Sequence, residues 1–574
     1  MQLYKLQIVE QSQYGKESQK NSVRKIIVRP PRGLIYDKSG KILVDNIPSY
    51  SVVIIPKKFD YSNLYKLCKL INEDTSKVIE TLNSSKDNNK LNPVVIKRNV
   101  GFEVISYLEE NREKFPGVDY QIDSRRIYTA GYRGSHIFGY VGEIPPEQLQ
   151  NDSSGYYRQG DYIGITGLEK YYENYLRGEN GVQLVTVDVN GRVLGSFNEG
   201  KNDVKPVSGS DLFITIDAEL QKYAENILGG RRGAIVAVDP RNGEVLCLVS
   251  KPDFDLSLFS GDKEDKNFSA IFNHPEHPMF NRVIQTRYAP GSTWKMMMAL
   301  AAMASGQITP SSTIPCGGSF TFGGRTFGDH GAYGSINVVV ALEYSVNVFF
   351  YKLGLMVGLD NLYKYGSMFN FGKKTGIDLP NETNGILPSE EYFNKVYGEG
   401  NWSRGNLINL GIGQGEIGVS PIQMVAYTAA ICMDGVYSVP HLVWKISNHS
   451  TGKEELVEIK QRQIDIPKSY FNAVKRGMYL VVNGNGTAKK VRSSKYVLAG
   501  KTGTAQNKKG NNHSWFVGFA PYDNPRIAIC VLGENQGWGA EFAAPIAAAI
   551  MVRYLSNNTE DVYSELRSKP DIRD

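Results

Sequence analysis

The chain reads as an α+β protein whose carboxy-terminal part is one antiparallel sheet with helices on both faces. Strand-like runs come in two sets, Ala234 to Val238 and Glu244 to Val249 early and three more between Tyr496 and Leu532 late, with a mostly helical stretch between them. Two strands early and three late form one sheet only if the chain returns to the place where it began. The Lys205-Pro206-Val207-Ser208-Gly209 break separates this part from what precedes it. At 574 residues the chain exceeds a single core of typical size, and two or three domains are expected.

After the break, Asp211-Leu212-Phe213-Ile214-Thr215-Ile216-Asp217 leads into an amphipathic helix around Leu220 to Leu228. The two early strands are joined by the turn Asp239-Pro240-Arg241-Asn242-Gly243. A Pro290-Gly291 stop then precedes Ser292-Thr293-Trp294-Lys295 and the helix formers Met296 to Ala302, so Ser292 falls at a helix start. The late strands, Tyr496 to Ala505, Ser514 to Ala520 and Arg526 to Leu532, read as a meander, and the Ala-rich run Ala543 to Leu555 as a closing helix. No internal repeat is visible.

Composition excludes several classes of function. The formal charge of +6, from 65 basic and 59 acidic residues, is too balanced for a nucleic-acid footprint and compatible with an anionic membrane surface. Cys68, Cys247, Cys316, Cys432 and Cys530 are scattered, odd in number and without a Cys-x-x-Cys pair, so neither a disulfide framework nor a zinc ribbon is expected. They read as small buried apolar residues. The most apolar long stretch, Phe542 to Met551, falls well short of the ~20 residues that cross a bilayer. No transmembrane span and no signal peptide are expected.

Three motifs carry the chemistry: Ser292-Thr293-Trp294-Lys295, Ser345-Val346-Asn347 and Lys501-Thr502-Gly503-Thr504. At a helix start the unpaired N–H groups and the positive dipole end favour an alkoxide and then an oxyanion. Lys295 lies one turn along on the same face. A serine hydroxyl is a poor nucleophile at neutral pH, so Lys295 must be neutral part of the time to take its proton, and burial beside a second cation, Lys501, lowers its pKa. Taken singly each motif has a plainer reading, since a serine at a helix start is ordinarily an N-cap. Ser-x-x-Lys recurs at Ser22, Ser260 and Ser450, in polar stretches that read as surface loops. A second Lys-Thr-Gly at Lys374-Thr375-Gly376 runs into Pro380 and reads as a turn. Lys501, inside an apolar strand-like run, is the copy assigned to the site.

These motifs in this order resemble the class B penicillin-binding proteins, peptidoglycan D,D-transpeptidases related to serine β-lactamases. The resemblance extends to Arg32-Gly33-Leu34-Ile35-Tyr36-Asp37, to Gly164-Ile165-Thr166-Gly167-Leu168-Glu169 through Gly178, to Asn281-Arg282 and to Gly413-Gln414-Gly415, and so covers nearly the whole chain. His513 to Pro521, Gly533-Glu534-Asn535 and Ala543-Ala544-Pro545 resemble the cell-elongation branch, the penicillin-binding protein 2 type, rather than the division enzymes.

The resemblance implies a penicillin-binding, β-lactamase-like transpeptidase domain over residues 211–574 behind an elongated α+β pedestal, of the dimerisation type, over 1–210. It implies an acyl-enzyme on Ser292, with Lys295 as base, Ser345 as proton relay and Asn347 on the substrate's peptide groups. The resemblance implies that the N–H groups of Ser292 and Thr504 hold the oxyanion, that Lys501, Thr502 and Thr504 meet the terminal carboxylate of D-Ala-D-Ala, and that Thr502, Gly503 and Thr504 form the substrate-binding strand. The implied partners are stem peptides, β-lactams, a RodA-type glycosyltransferase and an MreC-type scaffold. The implied location is the outer face of the cytoplasmic membrane, with an anchoring helix upstream of Leu3 to Val9. No cofactor is implied. Some elongation enzymes carry a metal near the site, but the spacing of Cys316, Asp329 and His330 is not diagnostic, and the prolines of His274-Pro275-Glu276-His277-Pro278 break the helix that would align two ligands. No metal is assigned. A division-specific transpeptidase, a β-lactamase and a penicillin sensor are the alternatives. The roughly 200 residues ahead of the break speak against a β-lactamase, and a sensor would carry signalling segments.

Overall fold

The computed structural model describes residues 23–84, 93–187, 193–259, 266–507 and 510–556. The Leu3 to Val9 segment, Ser22 and the Ser-x-x-Lys copy at Ser260 lie outside the described residues, and Lys25, which ends the copy at Ser22, is in the strand Val23–Val28 rather than in a loop.

The amino-terminal part is organised by β1 (Ile35–Tyr36), β2 (Ile42–Ile54), β3 (Val94–Val100) and β4 (Val118–Tyr128). β2 is its spine, pairing antiparallel with β4 from Val44↔Tyr128 to Ile54↔Val118 and with β3 at its far end. Short helices cover that end and bury Leu67, Cys68, Val78 and Ile105 with Val52 and Ile54. At the near end β1 pairs with β2 on one side and, in parallel, with β5 (Asp211–Ile214) on the other. β5 in turn pairs with Val443–Asn448.

The strand that follows the Lys205–Gly209 break therefore lies inside a seven-stranded sheet built from both halves of the sequence. Leu212 and Ile214 are fully buried, and the Asp211 carboxylate accepts the Leu34 N–H at 2.6 Å. The break is one of composition, and hydrogen bonding runs across it. Further ties cross between the halves: Tyr172 donates to Asp378 at 2.9 Å, and Glu225 accepts the N–H groups of Arg133 and Gly134 at 2.9 and 3.0 Å.

Two of the sequence signatures meet in this region. Arg32 bridges Glu169 and Glu173, each at 2.6 Å, and Arg126 reaches Glu169 from the other side at 2.7 Å. Glu169 and Arg126 are almost wholly buried, and loss of Glu169 takes a carboxylate from both arginines at once, a kind of loss that costs about 3–5 kcal/mol.

The carboxy-terminal part comprises α1 (Ala218–Leu228), β6 (Gly233–Val238), β7 (Val245–Lys251), α2 (Lys295–Ala304), α3 (Asn347–Met368), α4 (Pro421–Cys432), β8 (Ala499–Ala505), β9 (His513–Ala520), β10 (Ile527–Gly533) and α5 (Ala543–Ser556). The sheet order is β7-β6-β10-β9-β8, antiparallel throughout. Alternation of side chains divides the core. Ala234, Val236, Trp515, Val517, Cys530 and Leu532 face the layer containing α2 and α4, whereas Ile235, Ala237, Phe516, Ile529 and Val531 face α1 and α5. Burial on both faces makes these strands continuous apolar runs, and α4 is buried along its whole length.

The stretch between the strand sets is not wholly helical. Ile314–Cys316 pairs with Gly334–Ile336, and Ser319–Phe322 with Arg325–Gly328. Gly323 and Gly324 turn the second hairpin with φ of 57° and 76°, the left-handed values that a two-residue type I′ turn requires. That Gly-Gly pair, flanked by Phe320, Phe322 and Phe327, is the signal the helical reading overlooks. Among the described residues no helix is long and apolar enough to cross a membrane.

Candidate active site

Ser292 lies in a 3₁₀ turn, Gly291–Trp294, that runs directly into α2. Glycine is required at 291: its φ is 56°, and a Cβ there would stand 2.5 Å from the Thr504 carbonyl oxygen. Gly503 meets the same turn from the strand side, where a Cβ would lie 2.8 Å from Pro290 O. Two glycines thus let the edge strand β8 press its backbone against the turn that carries Ser292. The Gly413-Gln414-Gly415 signature clamps the junction: Gly413 O accepts the Gly291 N–H at 2.9 Å, and Gln414 Nε2 donates to Thr504 O at 3.1 Å.

Lys295 is fully buried one turn beyond Ser292. Its Nζ donates to Ser345 O at 2.6 Å, Ser345 Oγ at 3.2 Å and Asn347 Oδ1 at 2.6 Å. Ser345 and Asn347 flank the start of α3, and Ser345 has a φ of 57°. A left-handed non-glycine residue costs about 1–3 kcal/mol and persists only where its surroundings hold it. Here the lysine holds both its carbonyl and its hydroxyl.

Lys501, also fully buried, shares a face of β8 with Ala499 and Ala505, which belong to the core layer containing α2. Burial pushes its ammonium down to about 7. Burial likewise pushes Lys295 well below its ordinary value, and the Lys501 charge adds to this while the Asp329 carboxylate opposes it. Thr502 and Thr504 lie on the opposite face. The Thr502 hydroxyl is 2.6 Å from that of Thr487, and the Thr504 hydroxyl accepts the Gly539 N–H at 3.4 Å.

The chemistry follows from these contacts. Three acceptors around Nζ match the three protons of an ammonium, whereas burial and Lys501 oppose its charge. Once neutral, Lys295 keeps two donors and gains a lone pair. The Ser292 hydroxyl, half-buried, has no hydrogen-bond partner among the described residues. An unengaged hydroxyl at a helix start, a buried amine one turn away and a strand edge pressed against the turn that carries the hydroxyl suit nucleophilic acyl transfer with an amine base.

Sequence reasoning missed Thr487, which shows only as the end of Gly484-Asn485-Gly486-Thr487, and the tie from Gln414 to Thr504. The competing motifs sit elsewhere. Lys374 is exposed, and the N–H groups of Thr375 and Gly376 are held by Glu382 at 2.7 and 3.1 Å. Ser450 is in an exposed turn, and His274 and His277 lie in a loop. Cys316 is buried with its thiol on Ile314 O, Asp329 accepts the Val348 N–H, and His330 is exposed. Among the described residues no three or more His, Cys, Asp or Glu side chains are grouped to hold a metal.

Residues 233–552 match the penicillin binding protein transpeptidase domain, and residues 27–214 the penicillin-binding protein dimerisation domain. The peptidoglycan D,D-transpeptidase MrdA of Escherichia coli K12 is 33% identical over 592 aligned positions, spanning 98% of this chain and 92% of that protein. The penicillin-binding protein PBP2 of Helicobacter pylori, solved in complex with MreC, superposes with a TM-score of 0.81 at 28% identity, covering 93% of this chain and all of that one. PBP2 of Pseudomonas aeruginosa, solved with WCK 5153, superposes at 0.71 with 29% identity over 93% of this chain and 97% of the other.

Proposed function

The chain belongs to the penicillin-binding protein transpeptidase family, and from that premise we propose that it is a peptidoglycan D,D-transpeptidase of cell-wall elongation working through a Ser292 acyl-enzyme. The observation that carries the reading is the position of the Lys295 Nζ, 2.6 Å from Asn347 Oδ1 and 3.2 Å from Ser345 Oγ, one helical turn from Ser292.

Neutral Lys295 takes the hydroxyl proton as Ser292 Oγ attacks the carbonyl of the penultimate D-Ala in a D-Ala-D-Ala stem. The N–H groups of Ser292 and Thr504 receive the oxyanion. Ser345 passes the proton from Lys295 to the departing D-Ala nitrogen, the C–N bond breaks, and an ester on Ser292 remains. Asn347 meets the peptide groups of the stem. Lys501, Thr502 and Thr504 hold the terminal carboxylate, with Gly503 letting the strand lie close. An amine of a neighbouring stem then attacks the ester, forms the cross-link and frees Ser292. A β-lactam enters at the first step and stops there.

Residues 1–210 serve as a pedestal for partners and 211–574 as the catalytic part, at the outer, periplasmic face of the cytoplasmic membrane. The partners are a RodA-type glycosyltransferase and an MreC-type scaffold. Support for the scaffold comes from the Helicobacter pylori relative, which was solved with MreC. Residues 211–574 expressed alone are expected to acylate with penicillin but to fail in complementation. Their melting temperature falls below that of the full chain, because β5 loses β1 and Asp378 loses Tyr172. Restored growth by the fragment would remove the pedestal's role.

Elongation is tested by depletion in a rod-shaped host. Rounded cells are expected, because side-wall insertion stops while septation continues. Long filaments with blocked septa would assign the chain to division instead.

A further inference from the structure

The segment Ser345-Val346-Asn347 has to hold a strained serine and a substrate-facing amide in place at the start of a long helix, and it lacks the usual means of doing so. The N-cap of α3 is Val346, whose side chain can accept nothing. The cap comes instead from the return arm of the exposed hairpin. Asp329, immediately after the strand Arg325–Gly328, accepts the Val348 N–H at 2.6 Å with one carboxylate oxygen and its neighbour's N–H, that of His330, at 2.8 Å with the other. A carboxylate on the first turn also complements the helix dipole. Val348 directly follows Asn347, so the bond fixes the turn from which Ser345 and Asn347 reach Lys295.

We propose that Asp329 is a positioning residue for acylation, holding the first turn of α3 so that Ser345 and Asn347 stay on Lys295. The inference rests on the reading of Ser292 and Lys295 given above. A second observation agrees with it: the Asp329 charge is felt at Lys295, where it opposes burial and Lys501. The other groups facing Lys295 are the polar Ser345 and Asn347 and the Phe350 ring, 5.5 Å from Nζ. Those near Asp329 itself are Tyr333, Tyr351 and Cys316, with Lys352 and Arg325 beside them.

The test measures the rate of acylation by a fluorescent penicillin against pH, with melting temperatures, for the full chain and for Asp329→Ala and Asp329→Asn. Asparagine keeps one acceptor, for the Val348 N–H, and loses the charge together with the second acceptor, the one that meets the His330 N–H. Asp329→Asn should react within about threefold of the native chain at its own optimum, because its amide oxygen still accepts the Val348 N–H. Without the charge that favours the Lys295 ammonium, the neutral amine forms at lower pH, and the rising limb of the profile moves down. Asp329→Ala should be slower by about 10- to 100-fold, the scale of a misplaced catalytic group. Reaction of Asp329→Ala within about twofold of native, or an Asp329→Asn variant as slow as Asp329→Ala, overturns the proposal. Should Asp329→Ala fail to fold, the Asp329→Asn limb decides, and an unmoved limb overturns it. If Asp329 variants behave as native while Ser292→Ala loses its label, only the role of Asp329 falls.

Discussion

Ser292→Ala abolishes covalent labelling by a tagged penicillin and leaves the fold and melting temperature unchanged. The loss is of the size seen when an acyl-transfer nucleophile is removed, on the order of 10⁶-fold in rate. The fold is spared because the Ser292 hydroxyl has no partner among the described residues, so its removal strands no buried polar group. The turn is held by others: the Thr293 hydroxyl donates to Pro290 O at 2.7 Å, and Gly291 N–H to Gly413 O. Ser345 cannot substitute as nucleophile, since its backbone is pinned in a left-handed conformation with its hydroxyl on Lys295. In the native chain the adduct should be long-lived. Full label on the alanine variant would move the site, and rapid turnover by the native chain would make it a hydrolase.

Lys501→Ala slows acylation by about 10²-fold or more, the scale of a lost transition-state electrostatic contact, whereas Lys374→Ala changes it little. Lys501 is wholly buried on the β8 face that belongs to the core layer containing α2, while Lys374 is exposed beside a loop tied down by Glu382. The substitution has a second consequence. Lys501 is one of the two causes holding the Lys295 pKa down, so its removal raises that pKa, and the neutral base appears only at higher pH. The rising limb of the acylation profile moves up, the opposite of the shift expected for Asp329→Asn. An equal or larger effect at Lys374 would place the chemistry elsewhere.

Much of this arrangement was legible in one dimension. The β6, β9 and β10 strands are buried on both faces, and a strand of that kind shows as an unbroken apolar run. The turn at Ser292 shows because Pro290-Gly291 ends one conformation and Met296 to Ala302 begin another. The hairpin before α3 stayed hidden, because its Gly323-Gly324 turn lies in a short stretch flanked by helices, where a few alternating aromatics fit either period.

By itself the sequence determined the chemistry available: a serine and a lysine one helical turn apart, a Ser-x-Asn, a Lys-Thr-Gly-Thr and the strands of a sheet, all set by local spacing and local propensity. Only the tertiary structure decided what those groups meet. Asp329 caps a helix that begins eighteen residues later, Thr487 stands against Thr502, and β5, just past the compositional break, joins Ile35–Tyr36 to Val443–Asn448. Periodicity reports which face of an element is buried and is silent about its neighbour across the fold. Those long-range pairings come from the packing of whole layers, in which each buried donor and acceptor must find a partner wherever the chain brings one.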